Sequence, residues 1–187
     1  MNSKYKSLTK NIYELPNSTF EPIRYSDRFK IMEWRNAQMF HLRQTRVLTE
    51  QDQEAYFQKV VSPLFDMEFP EQLLFSYENQ GSFSGYGGFV HIDYHLGVAE
   101  LSFLVDPKSS IEQQSEHWRE FFTFVDQFAK DHEFLKVVSG YCYDVRPWLY
   151  PLYAAAGFEL SETKRNDVEI EGKWVDSLIY TKHYQDK

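Results

Sequence analysis

A chain of 187 residues, 42% hydrophobic and 26% charged, has the size and composition of one globular domain with a full core. Its 28 acidic against 20 basic side chains leave a formal charge of −8 with no Lys or Arg run to offset it, so no nucleic-acid partner is expected. The single cysteine excludes a disulfide framework or a cysteine-rich zinc site; no apolar run spans a bilayer or leads the chain as a secretory signal, and a cytoplasmic protein with no membrane partner is the expectation.

The polar segment 1–18 is expected to form an N-terminal arm laid on a single domain covering 1–187. "FEPIRYSD" reads as a short strand closing on Asp27, a residue suited to a helix N-cap. "RFKIMEWRNAQMF" then places Phe29, Met32, Met39 and Phe40 near helical spacing. A second helix starts at Thr49, where "TEQD" resembles a capping box, and is expected to turn Tyr56, Phe57, Val60 and Val61 inward. The period then changes: "QLLFSYEN", "GYGGFVHIDY" and "VAELSFLVD" are strand-like runs separated by turn-rich "QGSFSG" and "HLG", a β-meander. Gly85, Gly87 and Gly88 lie inside a strand pattern with no helix after them, which points to a bulge or close backbone contact rather than a nucleotide loop. Trp118, Phe121, Phe122, Val125 and Phe128 recover helical spacing. "LKVVSGYCYD" is another buried strand holding an inert Cys142, a short helix begins at Pro147, and two strands flank "EIEGKW". The order βααβββαβαββ is that of an α+β fold.

Several of these stretches carry a family resemblance. "LYAAAGF" is similar to a Leu-Tyr-x-x-x-Gly-Phe segment, "AELSFLVDP" to a central strand with an acid ahead of an apolar run, and "IMEWRNAQ" and "EGKWVDSLIY" to flanking segments of one branch. Together they resemble the GNAT superfamily of N-acetyltransferases, in the branch of ribosomal-protein and amino-sugar acetyltransferases, from about Phe20 to Tyr184. The resemblance implies a mixed, mostly antiparallel sheet with helices on both faces and acetyl-CoA as co-substrate. One motif departs from the pattern: the family's glycine-bearing pyrophosphate loop corresponds here to "QQSEHW", which has no glycine to bring backbone N–H groups close to an anion.

Acetyl transfer to an amine requires a base for the ammonium, stabilisation of the carbonyl oxygen and a proton for the departing sulfur. Glu100 on the central strand is the candidate base, with His91 and His95 as alternatives because imidazole titrates near neutrality. By resemblance, Tyr153 protonates the thiolate, and the alanines beside it let a cofactor arm lie close. The resemblance further implies that backbone groups of Ser102, Phe103, Leu104 and Val105 meet the pantetheine amides, with the Leu104 N–H as oxyanion donor. Gln113, Gln114 and Ser115 face the pyrophosphate in this reading, and Asp144 and Arg146 flank the cofactor. Trp34, Arg35, Arg43, Gln44 and His91 line the acceptor side. The bland alternative for the arginines is a surface ion pair, favoured for Arg35 (with Glu33 or Asp27) over Arg43.

The expected activity is direct acetyl transfer to a primary amine, with a nucleotide-linked amino sugar or similar small molecule ahead of a protein N-terminal amine. A non-catalytic binding domain with a degenerate loop is the alternative from another class. No metal site is expected, and the protein is taken as a monomer or homodimer.

Overall fold

The computed structural model describes residues 4–184. Eight strands form one sheet: β1 (Tyr13–Glu14), β2 (Ser18–Pro22), β3 (Leu73–Asn79), β4 (Ser82–Asp93), β5 (Val98–Val105), β6 (Val137–Tyr143), β7 (Glu159–Ile170) and β8 (Lys173–His183). Their spatial order is β1-β2-β3-β4-β5-β6-β8-β7, antiparallel at every pairing except β5 with β6. The helices are α1 (Arg28–Ala37), α2 (Glu50–Tyr56), α3 (Ser62–Leu64), α4 (Ile111–Asp131) and α5 (Tyr150–Ala155).

Strand alternation divides the core between the two faces of the sheet. Phe75, Phe89, Leu101, Phe103 and Val105 pack on the face covered by α4, whose Trp118, Phe121, Phe122, Val125 and Phe128 are all buried as their spacing predicts. Burying each such aromatic contributes about 1.5–3 kcal/mol. Leu74, Tyr86 and Leu104 point to the other face, where Ile31 and Trp34 of α1 cover them with Phe57 and Val61. Segment 4–12 is pinned to this core by Tyr5, whose hydroxyl donates to the Leu74 carbonyl (2.8 Å) and accepts from the Leu74 N–H (2.9 Å).

Three local expectations change. Asp27 precedes α1 but makes no capping bond; its carboxylate accepts instead from Arg24 Nε and Ser76 Oγ, each at 2.7 Å, tying the helix entry to β3. The buried face of α1 is Ile31 and Trp34, while Phe29, Met32 and Met39 are only half-buried and Phe40 is exposed. The second helix does start with a capping box between Thr49 and Asp52, but a π turn at Phe57–Val61 widens the spiral and leaves Tyr56 and Val60 exposed. The β4 glycines serve close approach. A Cβ on Gly87 would lie 2.7 Å from the Phe103 Cα, and one on Gly85 would lie 2.8 Å from the Leu104 carbonyl oxygen.

Candidate active site

The parallel ladder between β5 and β6 runs from Val98↔Val137 to Leu101↔Gly140 and stops, although both strands continue. Beyond Leu101 the strands part and leave a gap in the sheet. Successive peptide groups of a strand point to opposite sides. The Ser102 and Leu104 carbonyls face β4, as does the Asp106 N–H, which donates to the Ser84 carbonyl at 3.1 Å. Leu101, Phe103 and Val105 therefore turn their peptide groups toward β6 and the gap. This corrects the expectation for Leu104: its N–H is directed at β4, and Phe103 supplies the backbone donor and acceptor that face the gap.

A cavity of about 160 Å³ fills this gap and crosses the sheet. Glu100, Ser102, Arg35, Arg43 and His41 line it from the α1 side, Phe103, Trp118 and Tyr153 from the α4 side. Glu100 and Tyr153 thus belong to one cavity although their side chains arise on opposite faces. Glu100 is paired with Arg43, whose guanidinium also lies 4.8 Å from the centre of the Tyr141 ring; the other carboxylate oxygen is 3.4 Å from His91 Nδ1. His91 sits where β4 slips register against β5, with a positive φ of 51° that turns its side chain onto Glu100. His95 lies in the following turn, where its backbone N–H donates to Asp93 Oδ1.

Tyr153 is 2% exposed, stacked at 4.5 Å on Tyr180 and flanked by Trp118, Phe122 and Phe158. Its hydroxyl reaches over β6 at Gly140, where a Cβ would come within 2.7 Å of the phenol Cζ. Burial pushes this phenol far above the ordinary tyrosine range, so it stays protonated. Ala154 and Ala155 are exposed. Arg146 lines the same cavity, its Nε enclosed without a hydrogen-bond partner, and burial lowers its pKa from the usual arginine value.

A second cavity, about 270 Å³, lies under α1 and α2 between Ile23, Ile31, Tyr56, Phe57, Tyr86 and Val90. Arg35 and Ser102 line both cavities. Arg35 donates to the Tyr86 hydroxyl (2.9 Å) and the Gln44 Oε1 (3.1 Å), and among the described residues it forms no ion pair. The expected roles of the two arginines are therefore exchanged: Arg43 holds the carboxylate, and Arg35 carries its charge without one. Gln44 acts behind Arg35, with Asn36 fixing its amide at 2.9 Å. Trp34 is corrected: it is 3% exposed, stacked 4.9 Å from Phe83, and lines neither cavity.

At the start of α4 the side chains expected to meet a pyrophosphate cap the helix instead. Ser110 and Gln113 form a reciprocal capping box, Gln114 donates to the Ser109 carbonyl at 2.9 Å, and Ser115 donates to the Ile111 carbonyl at 2.7 Å. Asp144 is exposed and accepts from the Tyr150 hydroxyl, outside the gap. Cys142 is buried, its thiol pushed up to about 11 by that burial. Among the described residues no group of three His, Cys, Asp or Glu is placed to hold a metal, and no helix is long and apolar enough to cross a membrane. His41 lines the gap although it lies in no motif, and Gln38, the last residue of "IMEWRNAQ", sits behind it. His41, 7% exposed, has Nδ1 enclosed and unpartnered, and Gln38 bonds both His41 Nε2 (3.2 Å) and the Val105 carbonyl (2.9 Å).

A narrow gap with strand-edge peptide groups on one wall and enclosed, unpartnered polar atoms suits an extended, amide-bearing chain, which describes the arm of acetyl-CoA. The comparisons agree. A model of the acetyltransferase (GNAT) domain matches residues 21–179. Among solved structures, spermidine N-acetyltransferase from Vibrio cholerae, in complex with CoA and spermine, superposes with a TM-score of 0.78 at 16% identity over 90% of this chain and 96% of that one. The ribosomal L7/L12 α-N-protein acetyltransferase RimL, in complex with coenzyme A, gives 0.77 at 11% identity over 92% and 98%. Ribosomal-protein-S5-alanine acetyltransferase from Vibrio fischeri gives 0.72 at 14% identity over 95% and 98%. No match was found among curated proteins. With the family model covering most of its length and the divided sheet in place, the chain belongs to the GNAT acetyltransferases and is an N-acetyltransferase that takes acetyl-CoA as co-substrate.

Proposed function

We propose that the acceptor is a primary amine on a small molecule that also carries an anionic group, with a nucleotide-linked amino sugar as the best fit. The observation that carries this reading is Arg35, a half-buried guanidinium in the wall shared by both cavities whose partners among the described residues are the neutral Tyr86 and Gln44. A cation held partly out of water without a counter-charge is costly, and a phosphate or carboxylate arriving with the substrate would offset that cost through paired hydrogen bonds. Arg35, Arg43 and Arg146 outnumber Glu100 in the first cavity, which is the wrong sign for a polycation such as the one bound by the Vibrio cholerae enzyme.

With the anion on Arg35, the amine lies toward Glu100, which accepts the proton that must leave the ammonium before the nitrogen can attack. Arg43 and His91 hold the Glu100 carboxylate in place at the cavity wall. Acetyl-CoA supplies the activated thioester carbonyl. Tyr153, kept protonated by burial, donates from its hydroxyl to the departing sulfur, and Arg146 nearby favours negative charge on that side. Among the described residues lining the gap, Ser102 carries the aliphatic hydroxyl and has no base bonded to it, which supports direct transfer. The test is a comparison of kcat/KM for a UDP-linked amino sugar, spermidine and a peptide with a free N-terminal alanine. The sugar nucleotide is expected to lead, and Arg35→Gln to raise its KM by about tenfold or more without moving the KM for acetyl-CoA. A lead for spermidine or the peptide overturns the proposal.

A further inference from the structure

Two residues that line the gap, His41 and Arg146, each hold an enclosed, unpartnered polar atom, and the two atoms have opposite hydrogen-bonding characters. Gln38 fixes one of them. Its Nε2 donates to the Val105 carbonyl at 2.9 Å and to the Trp34 carbonyl at 3.3 Å, so Oε1 is an acceptor. His41 Nε2, 3.2 Å from that oxygen, must therefore carry the ring proton, leaving Nδ1 as a bare acceptor. Burial and the nearby Arg146 charge push the His41 pKa down to about 3, which keeps the ring neutral and this tautomer in place. The other atom, Arg146 Nε, can only donate. Both residues line the cavity that receives the Phe103 peptide groups.

We infer that His41 and Arg146 together read one amide of the pantetheine arm: the amide N–H donates to His41 Nδ1, and the amide carbonyl accepts from Arg146 Nε–H. Gln38 is the positioning residue that sets the acceptor. An isolated acceptor and an isolated donor on one gap match an amide, which offers the complement of each. A phosphate would satisfy Arg146 and leave Nδ1 facing a second acceptor. An ammonium would satisfy Nδ1 and leave Arg146 facing a second donor. Both atoms are closed to solvent without the arm, so its entry must open the gap at this point. The inference rests on acetyl-CoA as co-substrate and is independent of which amine accepts the acetyl group.

The experiment measures binding rather than turnover: calorimetric Kd for CoA, and competition against it by pantetheine and by adenosine 3′,5′-bisphosphate. His41→Leu is expected to weaken CoA and pantetheine alike by about tenfold, the loss of one buried hydrogen bond, and to leave the bisphosphate within twofold. His41→Asn, which returns an acceptor near the Nδ1 position, is expected to recover most of that loss. If His41→Leu does not fold, as judged by circular dichroism, His41→Gln removes the acceptor toward the gap and gives the same reading. An unchanged Kd for pantetheine, a loss confined to the bisphosphate, or an effect only on the KM of the acceptor amine overturns the inference. A wild-type protein that binds no CoA at all would instead overturn the acetyl-CoA-dependent reaction on which the function rests.

Discussion

The hydroxyl of Tyr153 occupies the space that a side chain at Gly140 would need: a Cβ there would lie 2.7 Å from the phenol Cζ. Gly140 closes the last β5/β6 pair, so the sheet divides at the point where the phenol crosses it. Gly140→Ala is expected to displace the ring, cost about 1–3 kcal/mol in urea unfolding, and lower kcat about as far as Tyr153→Phe does. Because both changes act on one hydroxyl, the double variant should lose no more kcat than either single one.

Glu100→Gln removes the proposed base while keeping the size of the side chain. At pH 7 kcat/KM for the amine is expected to fall about 100-fold or more. The deficit should shrink as the pH is raised toward the amine's own pKa, where solvent supplies the free amine. A pH-rate profile of both proteins checks this, and a deficit that stays constant with pH would show that Glu100 does something other than take that proton.

The start of α4 separates a structural role from a binding one. Ser110 and Gln113 satisfy each other across the first turn. Gln113→Ala is expected to lower stability by about 0.5–1 kcal/mol while leaving the Kd for CoA within twofold. Thermal unfolding and calorimetry on the same preparation measure both.

Acid sensitivity follows from the histidines. The pKa of His41 is lowered to about 3, by burial first and then by Arg146, and burial also lowers His117 and His132. A histidine whose folded pKa lies below its unfolded value of about 6.5 stays neutral in the native chain while the unfolded chain takes up a proton. Stability is therefore lost as pH falls from about 6.5 toward 3, at up to roughly 1.4 kcal/mol per pH unit for His41. His41→Asn should flatten that slope, read from urea midpoints between pH 7 and 4.

Much of this arrangement was legible in the chain because local periodicity carries it. The aromatic stripe of α4, the glycines of β4 and the Thr49 cap need only near neighbours in sequence to be read. The pairing of Arg43 with Glu100 spans 57 positions and joins a loop to a strand, so no spacing encodes it. The same holds for His41, which sits in the one-turn 3-10 segment Met39–His41 with no repeating pattern around it. Spacing does not separate Trp34 from Arg35: Arg35 faces the cavities while Trp34, one position earlier on the helix, turns to the core. The direction of the Leu104 N–H is not encoded either, because residue alternation along a strand does not say which neighbouring strand each side meets.

The short parallel ladder has a mechanical consequence. Strands β1 to β5 form one raft and β6, β8 and β7 another; among the described residues the β5/β6 ladder joins them from Val98↔Val137 to Leu101↔Gly140, with the Gly97 carbonyl accepting from the Lys136 and Val137 N–H groups at its closed end. Phe103 lines the cavity past that seam on one side and Tyr141 and Tyr143 on the other, so an extended molecule lodged there is expected to act as a removable stitch. Amide hydrogen exchange should accordingly slow on both rafts at once when CoA binds, most at Phe103, and coenzyme and half-sheet should come loose together on heating.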